Sequence, residues 1–382
     1  MIFNYLGTVL FISAAWITGL TALKLTGIEE KGYRFYSYIS IPVGITIYAV
    51  TATLIYLRLG LPISAVRLSY ALLALVSVAI LRKKKVNMTE IKGLTAQLLL
   101  FTIMLLPGIF CGEKYYVHRG NIYDHYFYLS EVVYMCLQKL SYGWKEMPNI
   151  TNVSEILTAG FAGIHSDRPT TPLLCASLAA RGWGSIFFQA YLYLIMVWSA
   201  TWGAFMFAME LFTKGWKSKS SSSPGLLQGI LSILYLWGFY GQIQYDINAW
   251  SQLTTMGGLL AYVCIYLLIL ADLLKSSTIG FRQYLLLWLM GVGLFLIYPE
   301  NTMIHGALLL GVSLCLWLGQ KSRLSGKSVA ALAVLPLLVV AVSALLDFSA
   351  VRFAVFQVNS AGDDIRQSWA SYFNRYWLGY FP

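Results

Sequence analysis

Charge is what this chain has least of: 11% of its 382 residues are charged, against 58% that are hydrophobic. Soluble domains carry about 25% charged residues. A mean hydropathy of +0.67 therefore excludes a soluble globular protein. Acids are scarcer still, at 16 against 27 Lys and Arg. The five cysteines stand singly at Cys111, Cys136, Cys175, Cys264 and Cys315, with no CxxC pair and no metal-ligand spacing. Cys264 and Cys315 fall within apolar runs and read as packing residues. Cys136 and Cys175 share one polar loop and could form a disulfide in an oxidising compartment, although sequence does not supply the geometry such a bridge needs. No Gly-x-Gly-x-x-Gly fingerprint and no Asp-x-Asp motif stands in the basic connections, which argues against an enzyme using nucleotide sugars on that side.

Long apolar runs are what the chain does have. A membrane-spanning helix needs about 20 largely apolar residues, and ten stretches qualify, roughly 3–23, 39–57, 63–81, 94–111, 183–212, 225–243, 251–273, 283–298, 302–319 and 329–346. They lack the period-two alternation of a strand barrel. The first is not preceded by a basic run or followed by a clear cleavage site, so it reads as a retained helix. The expected fold is all-α: a polytopic membrane protein of about ten transmembrane helices with a large external loop, 112–182, containing amphipathic helices.

Lys and Arg are retained in short cytoplasmic loops, and here they cluster in five connections: Lys24 to Arg34, Arg82 to Lys92, Lys214 to Lys219, Lys275 to Arg282, and Lys321 to Lys327. Ten helices put all five on one side. That side carries the whole net charge of +11, so the basic balance reports topology and not nucleic-acid binding. Both termini and the long loop fall on the external side of what reads as a multi-pass plasma membrane protein, with a bacterial inner membrane the expected location. Three helices within 1–93 form an N-terminal scaffold, seven follow in 94–346, and 347–382 is an external tail, too short for a soluble domain.

The long loop concentrates the polar exceptions. It contains Gly120-Asn121-Ile122-Tyr123-Asp124-His125-Tyr126-Phe127-Tyr128 and His165-Ser166-Asp167-Arg168-Pro169. Apolar residues from Tyr126 to Leu140 recur at helical spacing with Glu131, Gln138 and Lys139 between them, which reads as an amphipathic helix at the membrane interface. A second short helix is expected at 171–181, started by Thr170 or Thr171 with Pro172 in its first turn. Ser218 to Ser223 is a flexible linker.

Several residues are candidates for chemistry. Asp124 beside His125 suits a general base with its orienting partner, or a pair of ligands for a divalent metal ion; equally, Asp124 caps the helix that begins near His125. Helix neighbours point about 100° apart, so the two do not easily grip one atom. Arg168 offers a bidentate fork for phosphate, or pairs with Asp167 ahead of a Pro turn. Glu300 and His305 flank a break at Pro299 that suits anion or ion binding, or an ordinary turn. Asp246 lies close to Tyr245 and Trp250, aromatic rings able to stack on a sugar. All four histidines fall on the external side.

An outward-running helix, a large external loop with an Asp-containing motif, and then short-looped helices resemble the GT-C class of membrane glycosyltransferases. The resemblance covers about residues 94–346. The helix at 94–111 and the six after it match the seven-helix module of that class. Ser166-Asp167-Arg168-Pro169 is similar to Asp-Arg-Pro and Arg-Pro-Pro segments in its bacterial members. Three helices precede the module here, and the loop pair is Asp-His where many members carry two acids. The resemblance implies a polyprenyl-phosphate-linked sugar as donor and a lipid, glycan or protein as acceptor. It gives Asp124 the role of deprotonating the acceptor hydroxyl and Arg168 that of holding the departing lipid phosphate. Membrane lipid is an implied partner and nucleic acid is not. Other classes compatible with the hydropathy are a polysaccharide polymerase or ligase, which would carry an Arg-rich loop nearer the C-terminus, a secondary transporter, which would show inverted repeats, and a non-catalytic assembly subunit. No convincing internal repeat is present.

Overall fold

The structure, a computed structural model, describes residues 2–111, 128–129, 131–133, 135–136, 169–178, 186–215, 250–276, 279–319, 325–352 and 354–355. Every regular element among them is helical: α1 Ile2–Leu25, α2 Ser40–Ala52, α3 Ile63–Lys84, α4 Met88–Cys111, α5 Thr170–Leu178, α6 Ile186–Gly215, α7 Trp250–Ser276, α8 Phe281–Ile297, α9 Pro299–Gly319 and α10 Gly326–Leu346. Eight spans among the described residues are long and apolar enough to cross a membrane. Helix α8 is apolar too, but its 17 residues reach only about 25 Å. The expected span at 225–243 lies outside the described residues.

Helix α2 sits in the middle of the bundle, packed against α1, α3, α6, α7 and α8. Small residues let the backbones close in. A Cβ on Gly19 of α1 would stand 1.8 Å from the Ser40 carbonyl oxygen, and one on Gly44 of α2 would stand 2.0 Å from that of Ala15. On the opposite face of α2, a Cβ on Gly293 of α8 would meet the Thr46 carbonyl oxygen at 2.3 Å. The first helices are thus built into the bundle centre. Beyond Ala52 the helix continues through a π turn, Thr53–Arg58, with Leu59 N donating to Leu54 O at 2.9 Å.

Enclosure differs sharply between spans. In α6, 89% of the apolar window is buried, against 11% in α9 and 22% in α3. The exposed residues of those two, among them Leu68, Leu72, Leu75, Leu308 and Leu318, are apolar, as a lipid-facing surface requires.

One end of the bundle, the basic end, is tied together through the connection between α1 and α2. Lys24 pairs with Glu29 at 3.0 Å and with Glu90 at 2.8 Å, and donates to the Lys85 carbonyl at 2.7 Å. Glu90 also accepts from the Tyr36 hydroxyl. It closes a capping box at the start of α4, with Asn87 N donating to Glu90 Oε2 at 2.8 Å and Glu90 N to Asn87 Oδ1 at 2.9 Å. That box explains why α4 begins at Met88 and not at 94. Glu210 of α6 accepts from the backbone N–H groups of Arg34 and Phe35, one on each oxygen, both at 2.8 Å. Lys31 pairs with Asp272 of α7. Burial, then Glu210 and Asp272, pushes the Tyr33 hydroxyl up from its ordinary value.

Candidate functional site

At the opposite end, the loop end, pieces of the long polar loop enter the bundle. Thr170 and Thr171 open α5, with Pro172 in the first turn where its missing N–H costs nothing, much as the sequence suggests. Burial is the unexpected part: every residue of Thr170–Leu178 is buried, and α5 touches α1, α2, α3, α6, α7 and α8. A short helix embedded this way must satisfy its terminal backbone groups inside the protein. At its C-terminal end, Arg67 of α3 donates from Nε to the Ser177 carbonyl at 2.9 Å and from Nη2 to the Ala176 carbonyl at 3.2 Å. A cation at the negative end of a helix is also favoured electrostatically. At its N-terminal end, the Thr170 hydroxyl shares a hydrogen bond of 3.0 Å with Thr53 in the π turn.

The residues around 128–136 enter the bundle as well. Tyr128, Leu129, Glu131, Val132 and Met135 are all buried. Most of the described residues of the expected interfacial helix are therefore packed against protein. Ser251, one residue into α7, joins the two loop pieces: its hydroxyl shares hydrogen bonds with Tyr128 Oη at 3.0 Å and with Thr171 Oγ1 at 3.1 Å. The Tyr128 ring stacks on Trp250 with centroids 5.4 Å apart and planes 14° apart, and Tyr193 of α6 lies tilted 6.0 Å from the same indole. The Tyr193 hydroxyl pairs with Thr254 at 2.8 Å. Three aromatic rings, three aliphatic hydroxyls and the fully buried acid Glu131 thus belong to one region.

Of the residues expected to carry chemistry, Asp124, His125, Asp167, Arg168 and Asp246 lie outside the described residues. Trp250 is fully buried, with Tyr128 against one face. Glu300 and His305 both follow the break, which falls at extended Tyr298 (φ −152°). Five residues apart on α9, they point about 140° apart and form no common face. His305 Nδ1 bonds to the Asn301 carbonyl at 2.8 Å, one turn back. Among the described residues no group of three His, Cys, Asp or Glu is placed to hold a metal ion.

Cys136 and Cys175 are free thiols. Burial pushes both up, Cys175 well above its ordinary value; Arg67 pulls the other way at Cys136. Cys136 instead points its Sγ at the Ala176 carbonyl, 3.9 Å away.

Sequence reasoning singled out neither Glu131 nor Ser251 as site residues. A signal for the first was present, since an acid among apolar residues at helical spacing is costly in a membrane protein unless it serves a purpose. Ser251 gives none, because only tertiary packing makes its hydroxyl a junction.

Fold and site define a polytopic all-α membrane protein with a polar, aromatic cluster buried at the loop end. No protein-family model matches the chain, and no curated protein or solved structure is significantly similar to it.

Proposed function

We propose that the protein is a membrane glycosyltransferase, taking a sugar from a polyprenyl-phosphate-linked donor and passing it to a lipid, glycan or protein acceptor at the loop end, on the external face of the plasma membrane. The observation that carries this reading is the junction at Ser251, which bonds to one residue from each described piece of the long loop. Asp124 precedes Tyr128 by four residues, Arg168 precedes Thr171 by three, and Asp246 precedes Ser251 by five. An extended chain covers at most about 3.6 Å per residue, so chain connectivity alone limits all three clusters to within about 25 Å of one hydroxyl. Charged groups gathered where apolar spans end suit a hydrated site that a lipid-linked donor reaches from the bilayer.

In this reading Asp124 takes the proton of the acceptor hydroxyl. The acceptor oxygen then attacks the anomeric carbon in line, and the bond from that carbon to the phosphate oxygen breaks. The electron pair leaves on the polyprenyl phosphate, whose charge Arg168 holds. His125 orients Asp124 or joins it on a divalent metal ion. Asp167, Asp246, Glu300 and His305 line the sugar and acceptor paths, and Glu131 supplies a further buried carboxylate.

Reconstitution with labelled polyprenyl-phosphate sugars tests this. Wild type is expected to transfer label, and Asp124→Asn to lose about 10²-fold or more of that rate. Equal transfer by the variant removes Asp124 from the base role. Absence of transfer with every donor, alongside measurable solute flux, replaces the reading with a transporter.

A further inference from the structure

Two buried side-chain amides at the loop end take no part in the network described above. Gln189 of α6 is 1% exposed, and Asn4 of α1 is 2% exposed. Neither Oε1 nor Nε2 of Gln189 has a hydrogen-bond partner among the described residues, and Asn4 Oδ1 has none either. Buried polar groups in folded proteins are paired in the great majority of cases, and each exception calls for an explanation. In a span as enclosed as α6 the demand is stronger, because lipid offers nothing in exchange.

The positions of the two amides supply the explanation. Gln189 stands one turn before Tyr193 on the same stripe of α6. Tyr193 reaches Thr254 and leans on Trp250, so the stripe bearing Gln189 is turned toward α7 and the aromatic group. Asn4 stands one turn before Gly7 on α1, and a Cβ on Gly7 would lie 3.7 Å from the Leu178 carbonyl at the end of α5. Helices α1, α5 and α6 touch one another. Both amides therefore lie one turn nearer the loop end than residues that pack on α5 or α7.

We propose that Gln189 recognises the hydroxyl groups of a sugar ring at this end of the bundle. A carboxamide places a donor and an acceptor side by side and is neutral, which suits adjacent neutral hydroxyls and not a phosphate. The inference deepens the glycosyl-transfer reading and rests on it for the identity of the ligand. Gln189 is a specificity-determining residue in this account, kept at a cost to stability while no ligand is bound.

The test compares wild type with Gln189→Met, which keeps the volume and removes the polar atoms. In the absence of ligand, the variant is expected to melt about 2 °C or more above wild type, since an unsatisfied amide has gone. Wild type is expected to gain a larger melting shift from a polyprenyl-phosphate hexose than from polyprenyl phosphate without sugar, and the variant an equal shift from both. Its kcat/KM for transfer should fall at least tenfold, as for sites that lose a buried hydrogen bond to substrate. A variant that melts lower than wild type overturns the proposal, because the amide is then structural. So does a sugar-dependent shift that survives in Gln189→Met, or one that wild type never shows. A sugar-dependent shift in wild type, lost in the variant, with no transfer by either protein, keeps the recognition role and removes the glycosyl-transfer reading.

Discussion

At the scale of single residues, the cost of polar groups in an apolar molecule is met by specific partners. Lys24 and Glu90, 3% and 1% exposed, would each be expensive alone; together, with Glu29, Tyr36, Asn87 and the Lys85 carbonyl, their charge and hydrogen-bonding capacity is used. Asp347, just beyond α10, is less well provided for. Its Oδ1 accepts from Ser349 N at 3.0 Å and Ser349 Oγ at 2.5 Å, yet burial outweighs these bonds and holds its carboxyl above the usual range. A carboxyl raised in the folded state binds its proton more tightly there than in the unfolded chain. Its contribution is complete below the unfolded value of about 3.9 and is lost as pH rises through the folded value. Asp347→Asn keeps an acceptor for Ser349 and removes the charge. It should melt above wild type at pH 7, and the gap should close below about pH 3.9. A lower melting temperature for the variant at pH 7 would show that the ionised carboxylate is stabilising.

At the scale of elements, helix positions were legible and helix neighbours were not. The short helix after Pro169 follows from its threonines and Pro172, but nothing local announces that it is buried on all sides with Arg67 at its C-terminal end. The Asn87-Met88-Thr89-Glu90 sequence is a readable capping box that marks the start of α4. The π turn at Thr53–Arg58 has no comparable signature. Glycines make the same point: their presence in an apolar run says little, whereas their contacts decide their use. Gly44→Ala would drive a methyl into the Ala15 carbonyl, and overpacking of this kind costs about 1–3 kcal/mol. Gly311→Ala meets nothing within 4 Å and should be neutral or stabilising by up to about 1 kcal/mol through helix propensity. Unfolding of both variants in one detergent would check the contrast; similar behaviour would mean that α1 and α2 can separate at little cost.

At the scale of the whole molecule, charge and hydropathy act together. Among the described residues, the ion pairs of Lys24 and Lys31 and the clasp of Glu210 on Arg34 and Phe35 belong to the end where Lys and Arg concentrate, and the buried hydroxyl and aromatic group belongs to the other. The positive-inside bias then predicts sidedness. In a cysteine-free background expressed in intact bacteria, a membrane-impermeant maleimide should label Lys145→Cys in the long loop and leave Arg323→Cys untouched until the membrane is permeabilised. Labelling of Arg323→Cys in intact cells would invert the topology and move the proposed chemistry to the cytoplasm.

The sequence by itself determined the class of protein, the approximate limits of most spans, the short helix at Thr170 and the segregation of positive charge, because each is written in local composition. A window of about 20 residues either is or is not apolar, whatever surrounds it. Tertiary structure alone decided that α2 lies at the centre, that α5 is sealed inside the bundle, that Ser251 joins two distant parts of one loop, and that Gln189 is left unpaired. These depend on which backbones approach closely enough for hydroxyls and carbonyls to meet, and that approach is a property of pairs of helices far apart in the chain.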